Sequence, residues 1–118
     1  MKDRNLLIGS CVWKADPFEV KPFYDEIFDR DICTIDLGPV TYMGALVAKG
    51  SLDAVLFPHV KPFDLPAVKV LVEEAGGKES DLFGNQQRFD GPIKGNIVSN
   101  GVIHDEIVQM LGKYDLSL

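Results

Sequence analysis

Short apolar runs alternate with segments of helical periodicity along this chain of 118 residues. Apolar runs bounded by turn residues indicate strands, whereas apolar residues three or four positions apart indicate helices. The predicted strands are 6–12, 32–37, 52–57, 79–82 and 96–99, and the predicted helices are 17–30, 40–49, 65–75 and 102–111. Strands that alternate with helices predict an α/β fold, a layered domain with a mixed, largely parallel sheet flanked by helices.

The residue patterns of two predicted helices also predict which of their sides are buried. The helix at 65–75 is apolar on most of its circumference, so we expect a buried helix. The helix at 102–111 is amphipathic, with Val102 among its inward-facing residues. Because His104 is followed by two acidic residues in that helix, it is predicted to be a solvated surface residue. Gly50 is predicted to close the helix at 40–49.

The bulk composition indicates one domain over residues 1–118. The chain is 46% hydrophobic and 25% charged, which is typical of a soluble globular protein. A chain of this length buries a core without disulfides or metals. Its net charge of -6 argues against a nucleic acid or an anionic membrane as partner. It does not exclude a phosphorylated small molecule, because a bound cation reverses the local field.

The two cysteines, Cys11 and Cys33, each lie in an apolar run. This placement predicts buried thiols in a reducing compartment, although the sequence leaves a disulfide between them open. Charged residues at positions 2–4 precede only a short apolar run, so no signal peptide is predicted. No stretch approaches the ~20 apolar residues of a membrane span. We therefore expect a cytoplasmic protein.

Gly38, Pro39 and Val40 follow a predicted strand and open a predicted helix. Free N–H groups at a helix start can bind an anion or a hydroxyl group. The alternative is a tight strand-to-helix turn, with glycine at the bend and proline at the first helical position. The pattern alone favours the turn, because Pro39 removes one donor.

Asp64 stands directly before the predicted helix at 65–75. Its simplest role is an N-cap, whose side-chain oxygen accepts a backbone N–H group of the first turn. Its functional role would be a ligand for a hard cation, since Mg²⁺ prefers carboxylate oxygens. One carboxylate makes a poor metal site, so the pattern alone favours the cap.

Two further side chains are weaker candidates. His59 lies near Asp64 and can line the same cleft, although histidines are also common in loops without a function. Ser10 follows Gly9 at the end of a predicted strand. A serine nucleophile needs a neighbouring base, and no histidine close in sequence supports that role.

Recognisable motifs follow one another at residues 45–77, in the stretch ALVAKGSLDAVLFPHVKPFDLPAVKVLVEEAGG. A helix is followed by a Gly-x-x-Asp-Ala turn and strand, then by an aromatic-Asp pair, then by an apolar helix that ends in Glu-Ala-Gly-Gly. This order and spacing resemble the C-terminal signature of the inositol monophosphatase family. The similarity continues in SDLFG, GNIVSNGVIHDEIVQML, LLIGSCV and DLGPV, so it covers nearly the whole chain.

That family hydrolyses phosphate monoesters of inositols and related sugars, with Mg²⁺ ions that activate a water molecule. The resemblance implies that Asp64 is a metal ligand as well as a cap, and a carboxylate has lone pairs for both roles. It also implies that Gly38 to Val40 contact substrate hydroxyls through backbone N–H groups and that Ser10 lines the cleft. Phe57 takes the position of a glutamate that binds a substrate hydroxyl in inositol-selective members.

Departures from the family pattern limit what this chain is expected to do. The other metal ligands of the family, a Glu and an Asp-Pro-x-Asp-Gly-Thr motif, lie in its N-terminal half, and nothing here matches that motif. Pro39, Phe57 and Phe63 replace family residues, so a sugar phosphate other than inositol phosphate is plausible. Two-metal chemistry needs several carboxylates to hold cations roughly 4 Å apart. We therefore expect negligible phosphatase activity from this chain alone.

Such a chain would be an excised C-terminal domain or one piece of a split enzyme. If another half covers it, an exposed apolar face prone to association is expected. The alternative is a non-catalytic α/β module of the same family that binds a metabolite or a protein. A receiver-like signalling domain is disfavoured, because no acidic cluster with a matching lysine is evident at the predicted strand ends.

Overall fold

The computed structural model describes residues 6–10, 18–58, 60, 62–87, 89–90 and 92–116. The strands are β1 (Leu7–Ser10), β2 (Cys33–Ile35), β3 (Ala54–Phe57), β4 (Lys78–Ser80) and β5 (Asn96–Ser99). The α-helices are α1 (Lys21–Asp29), α2 (Val40–Lys49), α3 (Leu65–Glu74) and α4 (His104–Leu111). A single 3-10 turn, Pro62–Asp64, leads directly into α3.

The strands form one sheet in the order β2-β1-β3-β5-β4. β1 is parallel to both of its neighbours, β2 and β3, whereas β5 is antiparallel to β3 and to β4. Because β5 runs opposite to both of its neighbours, β4 points in the same direction as β3. The predicted α/β class and the mixed, largely parallel sheet are therefore confirmed.

Each face of the sheet is covered by a pair of helices. Alternate strand residues such as Ile8, Leu56 and Ile97 pack in one core with α1 and α4. The intervening residues, among them Val55 and Val98, pack in a second core with α2 and α3. This alternation follows from the period of two in a strand and gives three layers, helices on sheet on helices.

Helices α2 and α3 lie very close together at Gly44. A Cβ atom at this position would lie 2.8 Å from Cγ1 of Val68, a distance that side chains do not tolerate. Glycine is therefore required for this close approach, which fixes how the two helices sit against each other.

In three places the structure is more exposed than expected, each for a local reason. Val102 is 81% exposed and precedes α4, because Asn100 accepts its backbone N–H in a turn and Gly101 adopts positive φ. α3 is not buried all round, since Val70 and Leu71 lie on its solvent side. Cys33 is exposed because β2 is an edge strand, and it forms no disulfide among the described residues.

Cys11 and His59 lie outside the described residues. None of the helices in the described part of the chain is both long enough and apolar enough to cross a membrane.

Candidate functional site

One edge of the sheet gathers most of the candidate residues. Because β1, β2 and β3 are parallel, their last residues, Ser10, Ile35 and Phe57, lie at the same edge, which we call the carboxyl edge. Helices α2 and α3 begin at this edge, directly after β2 and β3. Ligands of open α/β sheets bind outside the carboxyl ends of the strands. The carboxyl edge is therefore the candidate site.

Asp64 lies at this edge as the last residue of the 3-10 turn and is half-buried. Its backbone has φ -80° and ψ -23°, and its side chain makes no capping hydrogen bond. The predicted cap is therefore wrong, because a capping residue normally needs an extended backbone to turn its oxygen toward the first N–H groups. The helix does not use the carboxylate oxygens, which leaves them available to a ligand.

The segment from Gly38 to Val40 forms the predicted tight turn, with one shift. Gly38 has φ +93°, and its N–H donates to Oδ1 of Asp36 at 2.9 Å, as in an Asx-turn. Pro39 occupies the capping position of α2 instead of its first helical position. Val40 opens the helix, where backbone N–H groups have no acceptor inside the helix. Of these three residues, Val40 is best placed to donate to a hydroxyl.

Ser10 and Phe57 end neighbouring parallel strands, and Ser10 pairs with Leu56 in the register. Ser10 is half-buried, whereas the Phe57 side chain is fully buried in the core with α2 and α3. A substrate would reach position 57 only through its backbone. The substrate-binding roles of Ser10, Gly38 to Val40 and Phe57 remain predictions.

A polar depression of about 210 Å³ follows the end of β4, which also points to the carboxyl edge. It is lined by Asp81, Asn85, Gln86, Gln87, Pro92 and Lys94. Asp81 shapes this loop, because its Oδ1 accepts the N–H groups of Phe83 and Asn85 at 2.9 Å each. Asp81 falls in the predicted strand 79–82 and the other lining residues fall between predicted elements, so none of them is a predicted site residue.

The described residues do not by themselves fit a Mg²⁺ centre. Across the part of the chain that the structure describes, no three His, Cys, Asp or Glu side chains converge as metal ligands. Asp64 alone supplies one carboxylate, and Mg²⁺ gives up its water shell reluctantly. No catalytic step through a metal follows from these residues alone.

His104 is a buried polar residue instead of the predicted surface residue. It is 1% exposed, and its Nε2 and Nδ1 atoms lie 2.8 Å from Oγ of Ser80 and of Ser99, respectively. Ser80 Oγ donates to the carbonyl oxygen of Asp81, so it accepts from Nε2–H. Ser99 Oγ accepts the N–H of Gly101 and donates to Nδ1. Every polar atom of a neutral imidazole is therefore satisfied.

Burial lowers the pKa of His104, and the positive charge of Lys78 adds to this effect. The neutral ring ties β4 and β5 to the start of α4 and has no access to a substrate. Helical spacing in the sequence could have predicted the burial of His104, because positions 104, 107 and 111 share one face of the helix and Ile107 and Leu111 are apolar.

Comparisons with known proteins agree with this architecture. The model of the inositol monophosphatase family matches residues 4–116. The chain is 34% identical over 77 residues to the Thermotoga maritima fructose-1,6-bisphosphatase/inositol-1-monophosphatase, covering 65% of this chain and 29% of that protein. It is 40% identical over 67 residues to the histidinol-phosphatase of Mycobacterium tuberculosis, covering 56% of this chain and 24% of that protein.

Solved structures give the same result for the fold. The Thermotoga maritima IMPase superposes with a TM-score of 0.78 at 27% identity, over 92% of this chain and 41% of that one. Inositol monophosphatase II from Staphylococcus aureus superposes with a TM-score of 0.81 at 24% identity, over 97% and 43%. The chain thus spans less than half the length of these relatives. With a family match over almost its whole length, it belongs to the inositol monophosphatase family.

Proposed function

We propose that this chain is the C-terminal domain of a Mg²⁺-dependent phosphatase that acts on inositol or sugar phosphate monoesters. In this proposal it supplies one metal ligand, Asp64, and part of the substrate pocket, and it is inactive alone. The observation that carries the proposal is the position of Asp64 at the carboxyl edge with a carboxylate that α3 does not use.

The incompleteness of the site supports the second part of the proposal. Phosphoryl transfer between two metal ions needs several carboxylates, and the described residues bring no three ligands together. The solved relatives continue well beyond the region that this chain matches, since it covers 41–43% of two of them. The remaining ligands would come from that further part of the family fold.

An exposed apolar surface on α3 also supports a missing neighbour. We define the α3 outer face by four exposed residues, Phe63, Ala67, Val70 and Leu71. Phe63 in the 3-10 turn is 75% exposed and Val70 is 60% exposed, and helical spacing places Val70 opposite the buried side of α3. Exposed apolar patches of this kind mark interaction surfaces. We propose that the other half of the phosphatase, or a second copy, covers this face.

Within the complete site, this chain would contribute polar groups from the starts of its two central helices. Asp64 would offer an anionic oxygen to a hard cation, and the N–H of Val40 would donate to a substrate hydroxyl. The bound metal would supply Lewis acidity and an activated water. The net charge of -6 argues against a nucleic acid or an anionic membrane as ligand. It is compatible with a small phosphorylated sugar or inositol, because a bound cation reverses the local field. We place the protein in the cytoplasm.

The first test is Mg²⁺-dependent phosphate release from a panel of sugar and inositol monophosphates by this chain and by its Asp64→Asn variant. We expect no release above the buffer control from either protein. Robust release that Asp64→Asn abolishes would contradict the proposal that the chain is inactive alone. Robust release that survives Asp64→Asn would contradict the role of Asp64.

A non-catalytic binding module is the second candidate, and the lack of a three-ligand cluster among the described residues favours it. The neighbouring reading frames distinguish the two. A frame that encodes an Asp-Pro-x-Asp-Gly-Thr motif supports the phosphatase. Without such a frame, metal-independent binding of a sugar phosphate to this chain by calorimetry would support the module.

A further inference from the structure

A single carboxyl group lies inside the apolar core beneath α3. Glu79 is the middle residue of β4 and pairs in register with Val98 of β5. Val98 packs in the core with α2 and α3, and the Glu79 side chain is 0% exposed. Acidic residues are rarely buried to this extent, so the surroundings of Glu79 need an explanation.

The groups around Glu79 do not satisfy an ionised carboxylate. Nζ of Lys69 on α3 lies 3.7 Å from Glu79 Oε1 but is closer to Glu73, at 3.2 Å. Neither Glu79 oxygen nor Asn96 Oδ1 has a hydrogen-bond partner among the described residues. Two carboxylates therefore share one lysine, and both oxygens of one of them, together with the Asn96 oxygen, have no donor among the described residues. Buried acceptors without donors are costly, and a buried charge more so.

One proton on Glu79 would resolve this conflict. Protonation removes the buried charge and turns one Glu79 oxygen into a donor for the neighbouring Asn96 side chain. It also allows Lys69 to pair with Glu73 alone. Burial raises the pKa of Glu79 and the Glu73 charge adds to the rise, while Asn96 and Lys69 offset part of it. On β4 itself, Lys78 is engaged elsewhere, since it pairs with Asp105 at 3.0 Å.

We propose that Glu79 reversibly binds a proton in the folded protein and that this proton tightens the docking of α3 on the sheet. Glu79 is thus a pH-sensitive device in the fold, separate from the phosphatase function proposed above. This proposal rests on the burial of Glu79 and on the residues around it, and it does not require Asp64 to bind a metal.

The direction of the pH effect follows from linkage. A carboxyl whose pKa is higher in the folded than in the unfolded state binds protons preferentially when folded. Its contribution to stability is fully present below the unfolded value, 4.5 for glutamate, and is lost as the pH rises through the folded pKa. Each unit of difference changes the folding equilibrium constant about tenfold.

The test is urea unfolding of the wild type and Glu79→Gln between pH 4.5 and pH 8. Glutamine has the size of a neutral glutamate and no charge. We expect Glu79→Gln to be more stable than the wild type at pH 8 and to lose this advantage at pH 4.5. The ratio of their folding constants should fall about tenfold for each unit by which the folded pKa exceeds the unfolded one.

A matched control separates burial from charge. Glu73→Gln removes an acidic residue at the exposed end of the same cluster and should not reproduce this pH profile. Other titrating groups, such as His104, are shared by wild type and variant and cancel in the ratio. The carbon-13 shift of the Glu79 carboxyl in the wild type gives its pKa directly, even if Glu79→Gln does not fold.

Two results would overturn the proposal. One is a Glu79 carboxyl that titrates at or below the ordinary glutamate value. The other is a Glu79→Gln variant that is less stable than the wild type at pH 8. Either would mean that Glu79 stays ionised and that its pair with Lys69 stabilises the fold.

Discussion

The outer sides of the two helical layers differ in a way that bears on function. The outer side of α1 and the end of α4 carry ion pairs, among them Lys21 with Asp25 at 2.9 Å and Lys113 with Glu26 at 2.8 Å. The α3 outer face instead presents Phe63, Val70 and their apolar neighbours to solvent. The outer side of α1 and α4 is therefore suited to contact with water, whereas the α3 outer face has the apolar composition of an interface. The exposed apolar residues of the second layer are thus concentrated on the α3 outer face.

Individual exposed apolar residues do not alter this contrast. Phe28 on α1 is also strongly exposed, but it lies between Ile27, which is buried, and Asp29. Single apolar residues on a surface are normal and need no partner. The α3 outer face differs from these because its exposed apolar residues cluster along one side of the helix.

The largest expected effect comes from separating α2 and α3. In Gly44→Leu, the new side chain would meet Val68, whose Cγ1 lies 2.8 Å from a Cβ at position 44. Overpacking of this kind should cost about 3 kcal/mol of unfolding free energy, measured by urea titration. Thr41→Leu, on the exposed side of the same helix, is the control. Val68→Ala should restore part of the loss, and equal costs for Gly44→Leu and Thr41→Leu would contradict the close packing.

A smaller effect is expected in the α4 layer. His104→Ala removes both hydrogen bonds of the ring and leaves Ser80 and Ser99 with unmatched groups in the core. We expect a loss on the order of 2 kcal/mol in chemical unfolding at pH 8. A change within the error of the measurement would mean that the hydrogen bonds of His104 contribute nothing to the free energy of unfolding.

The same histidine should make stability depend on pH. Because the pKa of His104 is lower in the folded protein than its ordinary 6.5, the unfolded chain binds the proton more readily. Stability should be unaffected by this group above pH 6.5 and should fall as the pH drops below that value. His104→Gln should flatten this part of the profile, and an unchanged profile would contradict the neutral ring.

The smallest effect on stability is expected at the α3 outer face. Val70→Lys and Leu71→Lys remove apolar surface without touching the core, so each should change the unfolding free energy by less than about 0.5 kcal/mol. The same changes should abolish concentration-dependent association in analytical ultracentrifugation. Phe28→Lys on α1 is the control and should leave association unchanged. A wild-type chain that stays monomeric at all concentrations would contradict a second copy as the partner of this face.

Local sequence pattern was enough to predict much of the fold. β5 at 96–99 and α2 at 40–49 have the predicted bounds, because a short apolar run and a closing glycine mark them. Gly50 adopts φ +91°, the left-handed conformation in which a glycine ends a helix. The order of strands and helices was enough to give the α/β class.

The errors share a physical cause, since a local pattern does not say what packs against each side of an element. His104 is a polar residue whose burial depends on partners from two strands, so its acidic neighbours in the sequence misplace it. Asp64 was assigned a cap from its residue type, but its backbone dihedrals do not permit one. The residues of the candidate site were predicted from the family resemblance. The parallel arrangement of β1, β2 and β3 brings them to the carboxyl edge.

The most direct test of the central claim is a chimera of the Thermotoga maritima relative in which this chain replaces the matching region. We expect Mg²⁺-dependent phosphate release from inositol or fructose phosphates, reduced at least about 100-fold by Asp64→Asn, as for loss of one essential ligand group. A folded, homogeneous chimera without activity, or one whose activity is unaffected by Asp64→Asn, would contradict the account.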